Sequence, residues 1–303
     1  GEAYETTRKM TWPNVATAYF SIYKKLANLG AEEKKLPSIK LDHLKRLTDD
    51  LGISHFAKYS KTEKRFGYSL DDNARALLVA AMYYRKNPEP EILGLIRVYL
   101  KFIKFVQRPI GNFANIVNSK RRKDGTNDDD VQGRAIWALG YTSAEDTLPQ
   151  EIRKQAQQIF LKSLKRTKEM RSPRSISFAI SGLYAYLKHF PRKNLMTIFK
   201  KLAEEQLRLY REIAVPEWSW FENHLSYSNS KISESLFCAY DLTKNKKYLE
   251  VAEKSLEFLS RITFEKQHYT PIGQNGWYFR NKKRSFFDQQ PEDTASMVQT
   301  KTV

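Results

Sequence analysis

The sequence predicts an all-α protein, a toroid of helical hairpins whose inner helices turn their N-terminal ends toward one shared site. Two observations predict it. Apolar residues recur at spacings of three and four along segments that come in pairs, with breaks at Asn87-Pro88, Pro149 and Pro191. That spacing lays an apolar stripe along a helix, and proline cannot continue a helix interior. A short polar cluster, mostly acids, amides and aromatic rings, also recurs at helix starts, at 68–73, 127–130, 172–174, 220–229 and 287–291. The helices that follow these clusters return at intervals of roughly 45 to 60 residues, the scale of a helical-hairpin repeat.

Taken in order, residues 11–29 form one amphipathic helix with Trp12, Val15, Ala16, Tyr19, Phe20, Tyr23 and Leu26 on its apolar stripe. Gly30 suits its C-terminal cap, and the lysine-rich 31–40 stretch with Pro37 reads as a linker. A short helix over 41–50 opens the toroid domain, 41–303. Helix pairs are then expected over 72–85 and 89–107, 130–141 and 149–168, 173–189 and 193–211, and 229–242 and 246–261. Residues 270–287, with Gly273, Asn275 and Gly276 among Trp277, Tyr278 and Phe279, read as a loop or short hairpin. A fifth inner helix begins near Gln290 and runs out at Val303, so the toroid is expected to be incomplete at its C-terminus.

Composition supports a packed core: hydrophobic residues make up 41%, and 12 Gly and 11 Pro are too few for a low-complexity chain. Cys238 is the only cysteine, which excludes an intramolecular disulfide and a thiolate-rich metal site and fits a reducing, cytoplasmic setting. No run of about 18 apolar residues predicts a membrane span, and no secretion signal is visible. The chain starts at Gly1 rather than Met, so a processed product or a fragment stays open. The net charge of +18 would permit an anionic partner. Its spread along helix faces, as in Lys162, Lys165, Arg166 and Lys168, is that of a solvated exterior, and no nucleic-acid motif accompanies it.

Two segments resemble known families. Gly1-Glu2-Ala3-Tyr4-Glu5 and Met10-Thr11-Trp12-Pro13-Asn14-Val15-Ala16 resemble the last helix of family 4 GT-B glycosyltransferases. That implies that 1–30 is the tail of a glycosyltransferase-like module in the same protein. From about Leu41 the chain resembles the helical domain that follows such enzymes and is related to the (α/α)6 barrels of carbohydrate-active proteins. The segments that carry the likeness are His43 to Asp50, Gly67-Tyr68 with Asp71-Asp72-Asn73-Ala74-Arg75, Gly133-Arg134-Ala135-Ile136-Trp137, Ser172-Pro173-Arg174, Trp220-Phe221-Glu222 and Asp288-Gln289-Gln290-Pro291. The chain departs from the pattern in two places. Gln132 stands where a histidine is expected, which removes an imidazole proton donor, and Glu292-Asp293 stands where an apolar residue and then Glu are expected.

Carboxylates, amides and aromatic rings together suit a sugar cleft, and cleaving a glycosidic bond takes two carboxyl groups. Asp72, Asp130 and Glu222 are the candidates for proton transfer. Asp71 and Asp72 both open a helix; one carboxylate suffices as a cap, which leaves the other for the cleft. Within Asp128-Asp129-Asp130 a like-charged neighbour can keep one carboxyl protonated, although a solvated turn balanced by Lys120 to Lys123 explains the run equally well. Glu222 lies beside Trp218, Trp220 and Phe221; its alternative role is an arginine-paired member of an aromatic core. Tyr68, Asp71, Asn73, Asp129, Trp220, Tyr227, Asn229, Trp277, Asp288, Gln289 and Gln290 are the candidates for holding sugar hydroxyls and rings. Arg75 and Arg134 are expected to orient carboxylates by ion pairs across the toroid. No cofactor or metal is implied, although a carboxylate-rich cleft could take Ca²⁺. The leading expectation is a glycoside hydrolase-like domain acting on a glycan or glycosylated small molecule. The alternatives are a non-catalytic glycan-binding or accessory domain of a glycosyltransferase and, third, a binder of anionic polymers.

Overall fold

The computed structural model describes residues 19–21, 38–125, 128–266 and 268–302. The chain divides into two compact units, Gly1–Leu41 and Asp42–Val303. In the first, Tyr19, Phe20 and Ser21 are helical; the rest of the helix expected over 11–29, its Gly30 cap and the linker up to Pro37 lie outside the described residues.

The second unit begins with α1, Asp42–Leu47. A hairpin of β1, Ala57–Lys58, and β2, Lys61–Thr62, and a 3-10 turn, Lys64–Phe66, follow. β3, Tyr68–Ser69, leads into α2, Leu70–Lys86, which is paired with α3, Pro90–Val106. After β4, Ile116–Val117, come α4, Asp129–Ala144, and α5, Gln150–Ser163, then a 3-10 turn at Leu164–Glu169. The third pair is α6, Pro173–His189, and α7, Lys193–Ile213. β5, His224–Leu225, precedes the fourth, α8, Ser230–Thr243, and α9, Lys246–Thr263. β6, Phe264–Glu265, and β7, His268–Tyr269, form a hairpin; β8, Tyr278–Phe279, pairs back to β5, and α10, Pro291–Thr302, closes the described chain.

The even-numbered helices form the inner layer: α2 packs on α4, α4 on α6, α6 on α8 and α8 on α10. Each of the first four also packs against the odd-numbered helix that follows it, which gives the (α/α)6-type toroid of hairpins. Local chemistry sets the helix starts. Ser69 caps α2 by accepting from Asp72 N at 3.0 Å, and Asp128 caps α4 by accepting from Asp130 N and Val131 N. α3 and α6 carry proline in the first turn, where no N–H is needed.

An inner helix has neighbours on most sides, so it needs small residues rather than one apolar stripe. A Cβ on Gly140 would collide with the Gly182 carbonyl oxygen, and one on Gly133 with that of Ser175, so α4 and α6 approach backbone to backbone. The buried hydroxyls of Ser177 and Ser181 are satisfied within α6 by the carbonyls of Pro173 and Ser177. The aromatic core, with Tyr99, Phe102, Phe160, Phe199, Trp220 and Phe221 fully buried, fills the rest of the unit.

Candidate functional site

The N-terminal ends of the inner helices surround a cleft of about 350 Å³. α2 supplies Asp71 and Arg75, with its capping residue Ser69; α4 supplies Asp130, Val131 and Arg134, with its cap Asp128. Glu292 comes from α10, and Gln290 from the residue before it. The two-residue ladders bring in the loops. Pairing of β3 with β4 places Asn115 and Ile116 in the wall, and pairing of β5 with β8 sets Trp277 beside Tyr227, their rings 6.2 Å apart. His55 and Gln274 complete the lining. Trp277 holds a left-handed φ of 52° and Ser228, next to Tyr227, one of 48°; side chains rarely take that conformation, and such strain concentrates at functional sites.

Two arginines and two carboxylates form a closed square in the cleft. Arg134, almost fully buried, places Nε 2.7 Å from Asp71 Oδ1 and Nη1 2.8 Å from Glu292 Oε1. Arg75 places Nη2 2.7 Å from Asp71 Oδ2 and Nη1 3.1 Å from Glu292 Oε2. Charges balance, yet the two acids titrate in opposite directions. Burial raises the Asp71 carboxyl above its usual range despite Arg134 and Arg75. For Glu292 burial pushes up as well, but the two arginines and the Ser228 hydroxyl outweigh it and hold the carboxyl low. Ionic contact does not complete the hydrogen bonding. Asp71 Oδ1, Asn115 Oδ1, Arg75 Nε and Arg134 Nη2 are buried without a hydrogen-bond partner among the described residues.

Asp130 is held differently, by the Ser172 hydroxyl at 2.6 Å and the Tyr227 hydroxyl, two neutral donors. Burial and the Asp130 charge push the Tyr227 phenol up, so it stays a donor. Arg174 fixes Tyr227 from behind, donating Nε to its carbonyl at 2.7 Å, and also pairs with Glu222 Oε2 at 2.5 Å and Asn229 Oδ1 at 3.3 Å. His55 Nδ1 lies 2.7 Å from Asp72 Oδ2, which the Ser69 hydroxyl also reaches at 2.5 Å.

Of the residues singled out from sequence, Asp71, Asp130, Tyr227, Trp277 and Gln290 come together in the cleft lining. The others sit elsewhere, each for a visible reason. Asp72 turns to His55 and the cap Ser69. Glu222 turns to Arg174, the arginine pairing weighed for it above. Tyr68 is buried with its hydroxyl on Asp49 Oδ2 at 2.5 Å, and Asn73 staples α2 to Ile53 through both its amide atoms. Asp129 accepts from Arg171 N on the neighbouring sector, Trp220 is in the aromatic core, and Asn229 closes a turn onto Ser226. Asp288 and Gln289 are exposed outside the lining. The segment 270–287 is a loop whose strand pairs with His224–Leu225 rather than within itself. Glu292, His55 and Asn115 were missed as site residues. Glu292 had a signal, as an acid in the first turn of a helix that opens with a polar cluster.

Among the described residues no helix is long and apolar enough to cross a membrane, and no group of three or more His, Cys, Asp or Glu is arranged to hold a metal ion. No protein-family model and no curated protein matches the chain by sequence. Solved structures do match in fold. A D-mannose isomerase superposes with a TM-score of 0.60 at 11% identity, over 78% of this chain and 72% of that one. A GH76 α-mannanase from Bacteroides thetaiotaomicron gives 0.54 at 12%, over 83% and 72%. A cellobiose 2-epimerase from Bacillus thermoamylovorans gives 0.50 at 12%, over 95% and 100%. These likenesses establish the (α/α)6 fold.

Proposed function

We propose that this is a carbohydrate-active domain that binds a sugar in the cleft at the N-terminal ends of its inner helices. One observation carries the reading: a buried acceptor, Asn115 Oδ1, and buried donors, Arg75 Nε and Arg134 Nη2, lie in the walls of one cleft without a hydrogen-bond partner among the described residues. Unpaired buried polar atoms are costly, and a ligand that meets both kinds must donate and accept at closely spaced points. Vicinal hydroxyls do that. Trp277 and Tyr227 add faces on which a pyranose ring can stack, and the volume suits a small ligand, at the low end of the usual range of about 300–1,000 Å³. The sugar-acting names of the structural neighbours agree with this assignment.

The chemistry we assign is cleavage of a glycosidic bond by two carboxyl groups. Asp71, whose carboxyl burial pushes up against the pull of Arg134 and Arg75, is assigned as proton donor to a leaving oxygen that displaces its arginine contacts. Asp130, held by the hydroxyls of Ser172 and Tyr227, is the carboxylate that accepts a proton from water or attacks. A second reading, a binding-only module beside a glycosyltransferase, is favoured by the arginine square, which ties Asp71 and Glu292. The glycosyltransferase link rests on two sequence resemblances, of residues 1–30 and of the domain from about Leu41 onward. Product analysis on a panel of oligosaccharides separates the two: turnover lost in Asp71→Asn and Asp130→Asn supports the enzyme, and binding without turnover in the wild type supports the module.

A further inference from the structure

We propose that the mouth of the cleft is rimmed by a docking surface for an anionic lipid bilayer, built from two aromatic and basic loops. The inference does not depend on what the cleft does. The first loop continues from His55 in the cleft wall. Phe56 is 50% and Phe66 43% exposed, their rings 4.8 Å apart, and Tyr59 at the hairpin tip is 91% exposed. The second loop leaves the wall at Trp277 and returns to it at Gln290. Between them Phe279, Phe286 and Phe287 are exposed, Phe287 by 74%. Each loop is also basic. Lys58, Lys61, Lys64 and Arg65 lie in the first with one acid, Glu63, although Lys64 also stands 3.8 Å from Asp49; Arg280, Lys282 and Lys283 lie in the second with Asp288, while Arg284 turns inward to the Ile262 and Thr270 carbonyls. Lys58, Lys61, Lys282 and Lys283 are exposed.

Large rings held in water at projecting tips, interleaved with ammonium groups, match the layering of a membrane interface. Rings enter the boundary between headgroups and acyl chains while lysines meet lipid phosphates. A flexible polyanion is a poorer fit. A strand lying across the mouth would meet the cleft itself, where Asp71, Asp128, Asp130 and Glu292 outnumber Arg75 and Arg134. A flat bilayer touches only the rim. No described helix spans a membrane, so the association is peripheral, and the cleft would open toward the lipid headgroups.

The test is co-sedimentation of the full chain with vesicles of phosphatidylcholine alone and with phosphatidylglycerol added. Binding to the anionic vesicles only, weakening with salt, is expected. Phe286→Ser/Phe287→Ser and Lys282→Glu/Lys283→Glu should each lower partitioning at least about ten-fold, since one interfacial cation is worth about five-fold. These side chains are exposed, so thermal melts of the variants should match the wild type. Lys200→Glu/Lys201→Glu, on the exposed face of α7, should bind as the wild type does. The proposal is overturned by no binding to phosphatidylglycerol vesicles, by an equal loss in the α7 pair, which would mean diffuse charge, or by binding to a single-stranded oligonucleotide in preference to the vesicles.

Discussion

Arg134 Nη1 meets Glu292 Oε1 at 2.8 Å, so a guanidinium in the second turn of α4 holds the start of α10 across the mouth of the ring. Because Arg134 also touches Asp71 and is almost fully buried, removing it leaves two carboxylates against Arg75 alone, one negative charge uncompensated. Arg134→Met should cost about 3–5 kcal/mol in urea unfolding, the scale for breaking a buried ion pair from one side. Adding Glu292→Gln should recover part of that loss, because one stranded charge is then gone. Equal stability of the single and double variants would show that the square carries no coupling.

Asp293, the next residue on α10, sets a pH dependence. It is buried, neither Oδ atom has a hydrogen-bond partner among the described residues, and burial with the Glu292 charge pushes its carboxyl up to about 7. The backbone amides of Asn229 and Ser228 lie near enough to favour the charged form, but neither makes a well-formed hydrogen bond, so burial prevails. The folded state therefore holds this proton more tightly than the unfolded chain does. Its contribution is complete below an ordinary Asp pKa of about 3.9 and is lost as pH rises through the folded value near 7. Between pH 5 and pH 8 the wild type should lose about 2–3 kcal/mol from this group, and Asp293→Asn, neutral throughout, should flatten that part of the profile. A profile unchanged by the substitution would contradict the assignment.

The close approach of α4 and α6 makes a paired prediction from two glycines. Gly140→Ala should destabilise by about 1–3 kcal/mol, since the new methyl meets a backbone carbonyl that no rotamer change can move. Gly94→Ala, inside α3 with nothing within 4 Å of the added carbon, should stabilise by about 0.5–1 kcal/mol. Denaturant midpoints at constant slope would read both.

Proton transfer at Asp130 makes a kinetic prediction. Asp130→Asn should lower kcat by about 10²- to 10⁴-fold with a smaller change in KM, because the amide oxygen still accepts from one of the Tyr227 and Ser172 hydroxyls and its NH2 can donate to the other, but it cannot take a proton. Glu222→Gln acts at a distance by loosening Arg174 and hence Tyr227, so its larger effect should be on KM. Steady-state kinetics on whichever oligosaccharide is turned over would test both.

Most of the architecture was legible because each helix pair carries its own period and the first three also carry proline at or beside their breaks. The pair expected over 173–189 and 193–211 lies at Pro173–His189 and Lys193–Ile213. The site was legible only in part. A polar cluster shows which residues stand at a helix start, but not which of two adjacent carboxylates turns outward. Ser69 drew Asp72 toward the cap and His55, leaving Asp71 to the cleft. Trp220 and Glu222 share a segment with Tyr227, yet only Tyr227 faces inward, because Arg174 and the aromatic core claim the others. Asn115 and His55 come from loops with no repeat to mark them, and the short strand pairings that position loops are too brief to leave a pattern.

The most direct test of the sugar cleft is calorimetric titration of the full chain with a panel of neutral mono- and oligosaccharides, repeated with Asn115→Leu, which removes one unpaired acceptor. The account predicts saturable binding of at least one member, weakened about ten-fold or more in the variant, the scale of losing one buried hydrogen bond to the ligand. Binding of none, or binding that the variant leaves intact, would contradict it.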